Sequence, residues 1–158
     1  VSGSVDALQE ALKAEHAAVY GYGVVGARLR GSLRRSATAL WDAHRLQRDR
    51  LVVYISQRGA RPVAAAAAYR LPVRVTSART AAALAAALED DVVTAYAGLA
   101  GVPEAALRTL AARAMQDAVA RSVRWRGGVG LPSAHGPAFP GLPASALTPK
   151  PQPDGHLD

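Results

Sequence analysis

Three observations predict an all-α fold of four long helices with one long crossover. The composition is alanine-rich with few β-branched runs, which favours helix over strand. Apolar residues recur at helical spacing in four segments separated by glycine- and proline-bearing breaks. The link between the second and third segments is far longer than the other two. With 158 residues, 50% of them apolar, the chain has the length of one domain and can bury a real core.

The first amphipathic segment, VDALQEALKAEHAAVYGYGVVGARLR, organises the rest. It predicts a helix from Ser4 to Leu29, capped by Ser4 or Asp6. One stripe collects Leu8, Leu12, Glu15, Val19, Tyr22, Gly26 and Leu29 in steps of four and three. Six of these suit a core facing other helices. Glu15 does not, because a buried carboxylate must find a cation, a metal or a proton. The same segment holds Gly21, Gly23 and Gly26, each costing roughly 1 kcal/mol relative to alanine in a helix. They are expected to permit close approach of another helix or of the crossover. Their order matches the dinucleotide fingerprint Gly-x-Gly-x-x-Gly, which has meaning only after a strand. Inside a helical period it has none.

Gly31 and Ser32 are expected to break this helix, and a second runs from Ser36 to Gln57 and stops at a capping Gly59. GARPVAAAAAYRLPVRV follows, with Ala64–Ala68 as a candidate helical turn, before Thr76 or Ser77 caps a third helix, SARTAAALAAALEDDVVTAYAGL, that stops near Gly101. Pro103 falls in the first turn of a fourth helix that Gly127 and Gly128 end. Short first and third links make those helix pairs antiparallel neighbours. The 17-residue middle link reaches roughly 50–60 Å when extended, whereas a 22-residue helix is about 33 Å long. It is long enough to start helix three at the far end of helix two, which is the ferritin-like arrangement.

Residues 1–128 are therefore read as a ferritin-like four-helix bundle, and 129–158 as a Pro/Gly-rich C-terminal extension holding seven of the ten prolines. The extension is expected to pack on the bundle or on a neighbouring subunit through Phe139, Leu142 and Leu147.

The formal charge is +7, and 17 of the 19 basic residues are arginine. They are scattered, and aromatic residues do not interleave with them as a stacking platform requires, so nucleic-acid binding is not expected. There is no cysteine, which excludes disulfide and thiol chemistry. No apolar stretch approaches the roughly 18–20 residues that span a bilayer, and no signal pattern opens the chain, so a cytoplasmic protein without a membrane role is expected. Alanine- and glycine-rich helix faces predict a homodimer. Nothing resembles a Ser/His/Asp nucleophile set, a P-loop or a zinc cluster.

In di-metal carboxylate bundles two helices each give one glutamate and the other two each give Glu-x-x-His. Helices one and three meet their half with Glu15 and Glu89. Helix two offers Asp42-Ala43-His44-Arg45 and helix four offers Gln116-Asp117, so neither holds Glu-x-x-His. The stripe on helix two reads Trp41, His44, Arg48, Leu51 and Ile55; that on helix four reads Leu107, Leu110, Ala114, Asp117 and Arg121. Glu15, His44, Arg48, Glu89, Asp117 and Arg121 are thus expected to converge. Two readings follow. The carboxylates, arginines and histidine neutralise one another as an internal salt-bridge network without cofactor, arginine being a natural replacement for a lost ion. Alternatively, Glu15, His44, Glu89 and Asp117 hold iron or manganese. The aromatics Tyr20, Tyr22, Trp41 and Tyr96 are read as core or interface residues.

The pattern Ala14-Glu15-His16-Ala17-Ala18-Val19-Tyr20-Gly21-Tyr22-Gly23, then His44-Arg45-Leu46-Gln47-Arg48-Asp49, Pro62, Tyr69-Arg70-Leu71-Pro72, Leu88-Glu89 and Trp125 resembles a ferritin-like domain family of unknown function from high-GC bacteria. The resemblance covers about residues 5–127. It implies the ferritin-like fold, leaves activity unassigned, and puts Glu15 and Glu89 where the wider superfamily keeps metal-ligand glutamates. The expected role is non-catalytic, structural or in interaction, with an oxidoreductase or metal-storage protein as the alternative.

Overall fold

The structure is a computed structural model and describes residues 2–132. It contains four helices, α1 (Ser2–Arg28), α2 (Gly31–Ser56), α3 (Ala78–Tyr96) and α4 (Ala105–Gly128), with a single 3-10 turn at Leu99–Gly101. No strand occurs among the described residues. The anchors expected in the extension, Phe139, Leu142 and Leu147, lie outside the described residues.

The breaks differ from expectation in informative ways. α1 begins at Ser2, and Ser4 lies inside it, where its hydroxyl donates to Glu104 Oε2 (2.7 Å) rather than capping the helix. Between α1 and α2 the interruption is Leu29–Arg30, not Gly31–Ser32. Gly31 adopts φ +58°, a left-handed conformation only glycine takes cheaply, so the chain turns and α2 restarts at once, five residues before Ser36. Ser77 caps α3 through a reciprocal box with Thr80: its hydroxyl accepts from the Thr80 N–H, and its own N–H donates to Thr80 Oγ1 (2.9 Å). Glu104 is the N-terminal flanking residue of α4, which leaves Pro103 just outside the first turn.

Two apolar clusters fix the topology. One joins Leu8 and Leu12 of α1 with Leu51 and Ile55 of α2, Val92 and Tyr96 of α3, and Leu107 and Ala111 of α4. The other joins Tyr22 and Val25 with Ala37, Leu84, Ala85 and Trp125. The first cluster therefore takes the N-terminal halves of α1 and α4 and the C-terminal halves of α2 and α3. Helices α1 and α4 run one way, α2 and α3 the other.

Parallel α2 and α3 require a return across the molecule, and residues 57–77 make it along α1. Gln9 clamps the strap at its start: its Nε2 donates to Arg61 O and its Oε1 accepts from the Val63 N–H, both at 2.8 Å. His16 Nε2 lies 3.0 Å from Val63 O, and the Tyr20 and Tyr69 rings meet at 5.5 Å between centroids. Leu71, Val73 and Val75 then pack on the second cluster. Ala64–Ala68 forms no helical turn; it is exposed, and an alanine run without an apolar face to bury has no packing to hold it helical.

The inner element is α3, where ten of 19 residues are buried. It packs on both α1 and α4, while α1 also packs on α2. Close approach of α1 and α3 depends on Gly21: a Cβ there would stand 2.5 Å from Leu88 Cδ1. Gly23 and Gly26 face open space instead. α2 and α4 oppose one another across clefts.

Candidate functional site

A layer of charge separates the two apolar clusters. Glu15 from α1, His44 from α2 and Glu89 from α3 are each no more than 1% exposed. His44 Nδ1 lies 2.6 Å from Glu15 Oε2, and His44 Nε2 lies 3.0 Å from Glu89 Oε1. A neutral imidazole has one N–H and one lone pair. Facing an ionised carboxylate at both nitrogens, it would set a lone pair against an anion. The doubly protonated imidazolium satisfies both contacts as charge-assisted hydrogen bonds.

The proton balance agrees. Burial alone would lower the His44 pKa, but the hydrogen bonds and charges of Glu15 and Glu89 outweigh it and raise it to about 9. His44 is therefore a cation at neutral pH.

Two tyrosines complete the shell, each reaching across to the other helix's glutamate. Tyr22 of α1 donates to Glu89 Oε1 (2.6 Å), and Tyr96 of α3 donates to Glu15 Oε1 (2.7 Å). Both phenols are pushed above their ordinary pKa, by burial first and then by the carboxylate each faces. They remain neutral donors. Trp125 Nε1 donates in turn to Tyr22 Oη at 2.9 Å. The remaining cation is Arg121 of α4, whose guanidinium stands 3.9 Å from Glu89 Oε2. Two carboxylates, one imidazolium and one guanidinium sum to zero.

The sequence-predicted residues thus divide. Glu15, His44, Glu89 and Arg121 converge as expected. Asp117 does not: it is exposed on the α2–α4 side. The buried stripe of α4 is Leu107, Ala111, Ala118, Ser122 and Trp125. These residues keep heptad-compatible spacing in a different phase, so Leu110 and Asp117 each fall one residue, about 100°, off the buried stripe. Arg48 is also displaced from the expected network. It is half-buried and pairs with the adjacent Asp49, its Nε at 2.9 Å and its terminal nitrogen at 2.8 Å from Oδ1. Tyr22 and Tyr96, read from sequence as core or interface residues, are polar members of the centre, and Trp125 joins them.

The arrangement does not fit a bound iron or manganese ion. A metal-ligating histidine needs an unprotonated nitrogen, and both nitrogens of His44 are directed at carboxylates. Three of the four carboxylate oxygens accept hydrogen bonds; the fourth, Glu89 Oε2, accepts none and is faced by Arg121. Among the described residues no group of three His, Cys, Asp or Glu side chains is placed to hold a metal ion. No helix among the described residues is long and apolar enough to cross a membrane.

The profile of a family described as "Domain of unknown function (DUF4439)" matches residues 7–144. Among solved structures, the chain is similar to a conserved hypothetical protein from Mycobacterium tuberculosis. The two are 35% identical, with a TM-score of 0.77 over 80% of this chain and 97% of that one. No curated protein matches.

Proposed function

This chain belongs to the DUF4439 family, a domain of unknown function, and we propose that it is a non-catalytic structural or interaction protein on a ferritin-like scaffold. Its metal centre is replaced by a buried charge network. The reading rests on one observation: His44 spans Glu15 and Glu89 with both ring nitrogens, occupying the place between two inward glutamates where a carboxylate bundle would hold its ion. Parallel α2 and α3 joined by the strap support the ferritin-like assignment.

In this reading the centre has no labile ligand position, no redox partner and no nucleophile. It cross-links three helices and sets their register, the best-attested use of buried polar groups. A homodimer in the cytoplasm belongs to the same proposal, with Leu46 and Val53, exposed at 59% and 52% on the outer face of α2, as the apolar surface a second copy would cover. The division into a bundle, 1–128, and a packed extension, 129–158, belongs to it as well.

The rival reading, an oxidoreductase or metal-storage protein with iron or manganese on Glu15, His44, Glu89 and Asp117, has Glu89 Oε2 in its favour as an oxygen without a hydrogen bond. Metal content decides between them. Protein purified without chelator or affinity nickel, then incubated with Fe(II) and Mn(II), is analysed by mass spectrometry. Metal-free, fully folded protein is the expected result. One or two equivalents per chain, lost in Glu15→Ala, would make it a metalloprotein and overturn the proposal.

A further inference from the structure

The α2–α4 side carries a site of different character. Between these helices lies a cleft of about 320 Å³, inside the roughly 300–1,000 Å³ range of small-molecule sites. Arg50 of α2 and Arg113 and Arg121 of α4 border it, with Asp117 as the single carboxylate. Arg121 is engaged from behind by Glu89. Arg50 and Arg113 have no ionic partner among the described residues, so two guanidinium groups border one cleft in which Asp117 is the single carboxylate and the net charge stays positive.

The lining selects the kind of anion. A guanidinium fork matches carboxylate or phosphate oxygens bidentately. A carboxylate's two oxygens fill one guanidinium fork, whereas the three terminal oxygens of a phosphate monoester can engage both arginines. Asp117 is wrong for touching that anion and right for accepting hydrogen bonds from hydroxyl groups beside it. Gln47, also on the wall and engaged with the Tyr96 hydroxyl behind it, keeps its amide oxygen as an acceptor for a hydroxyl. A polynucleotide is disfavoured because the lining's one aromatic ring, Tyr54, already faces Arg58 at 5.8 Å, leaving no stacking platform.

We propose that this cleft binds a small phosphorylated polyol, its phosphate held by Arg50 and Arg113 and its hydroxyls by Asp117 and Gln47. The assignment goes beyond the reading of the buried centre and does not rest on it, since Arg50 and Arg113 are exposed and are not among the side chains that hydrogen-bond or ion-pair with Glu15, His44 or Glu89.

The test is calorimetric titration of the full chain at low salt with glycerol 3-phosphate, ribose 5-phosphate and glucose 6-phosphate. Inorganic phosphate and unphosphorylated glucose serve as separate arms. At least one sugar or polyol phosphate is expected to saturate at millimolar concentration or below, with inorganic phosphate weaker and glucose silent. Arg50→Ala and Arg113→Ala should each weaken binding about tenfold or more, while Arg28→Ala at the end of α1 leaves it unchanged. Asp117→Asn should weaken the polyol phosphates but not inorganic phosphate. No saturation with any of the three compounds, or wild-type affinity in both arginine variants, overturns the proposal. Inorganic phosphate binding as tightly as the organic phosphates overturns the polyol assignment.

Discussion

Along the α1–α3 interface, each glutamate is bonded to the opposite helix's tyrosine and to the imidazolium between them. Across the α2–α4 cleft, Arg50 and Arg113 stand in solvent with no ionic partner among the described residues. Burial makes the difference. A carboxylate sealed in the interior costs several kcal/mol unless a partner compensates it, whereas an exposed guanidinium keeps its water. The same molecule therefore holds a centre whose charges are committed to one another and a cleft whose charges are available. A ligand belongs in the second.

Mutation separates the two regions most sharply. His44→Leu leaves Glu15 and Glu89 facing one another with only tyrosine donors and distant Arg121, and is expected to cost about 3–5 kcal/mol. Arg113→Ala in the cleft should change stability by no more than about 0.5 kcal/mol. Urea denaturation of the two variants measures both, and equal small effects would erase the contrast.

The pH dependence comes next. The His44 pKa is raised from 6.5 unfolded to about 9 folded, so the folded state binds the proton more tightly. Its stabilisation is fully present below pH 6.5 and is lost as pH rises through about 9. A difference of that size corresponds to about 3 kcal/mol. Denaturation midpoints measured from pH 6 to 9.5 should fall for the wild type and stay flatter for His44→Leu.

Removing a hydroxyl tests the tyrosine shell. Tyr96→Phe leaves Glu15 Oε1 buried without its donor and should cost about 1–3 kcal/mol. Tyr22→Phe should cost at least as much, because it also strips the acceptor from Trp125 Nε1. The glycines give effects of opposite sign. Gly21→Ala forces Leu88 to move and should cost up to about 1–3 kcal/mol, against which the better helix propensity of alanine works. Gly23→Ala meets nothing within 4 Å and should stabilise by about 0.5–1 kcal/mol. Thermal unfolding of the pair shows whether α1 touches α3 at the one glycine and not the other.

Much of the fold was legible because link length and helical period are properties of the sequence itself. The long strap before Ser77 implied parallel α2 and α3, and the spacing of Leu8, Leu12 and Glu15 named the buried face of α1. What failed was finer. Asp117 was placed inward by taking the four-three stripe of α4 one residue out of phase with its buried positions, and Arg48 lies between the buried His44 and Leu51 at a position that stays half-buried. The tyrosines were missed although a signal existed. Tyr22 follows Glu15 by seven residues, and Tyr96 follows Glu89 by seven. A Glu-x6-Tyr pair on each of two antiparallel helices brings each hydroxyl to the other helix's carboxylate. Only the crossing geometry of α1 and α3 shows that it does so.

The central claim is that His44 is an imidazolium between two carboxylates. The direct measurement is the ¹⁵N NMR spectrum of its ring near neutral pH, assigned by comparison with His44→Leu. Two protonated nitrogens, unchanged by added Fe(II) or Mn(II), are the predicted result. A ring with one unprotonated nitrogen at neutral pH, or one whose signals vanish with stoichiometric Mn(II), would contradict the account.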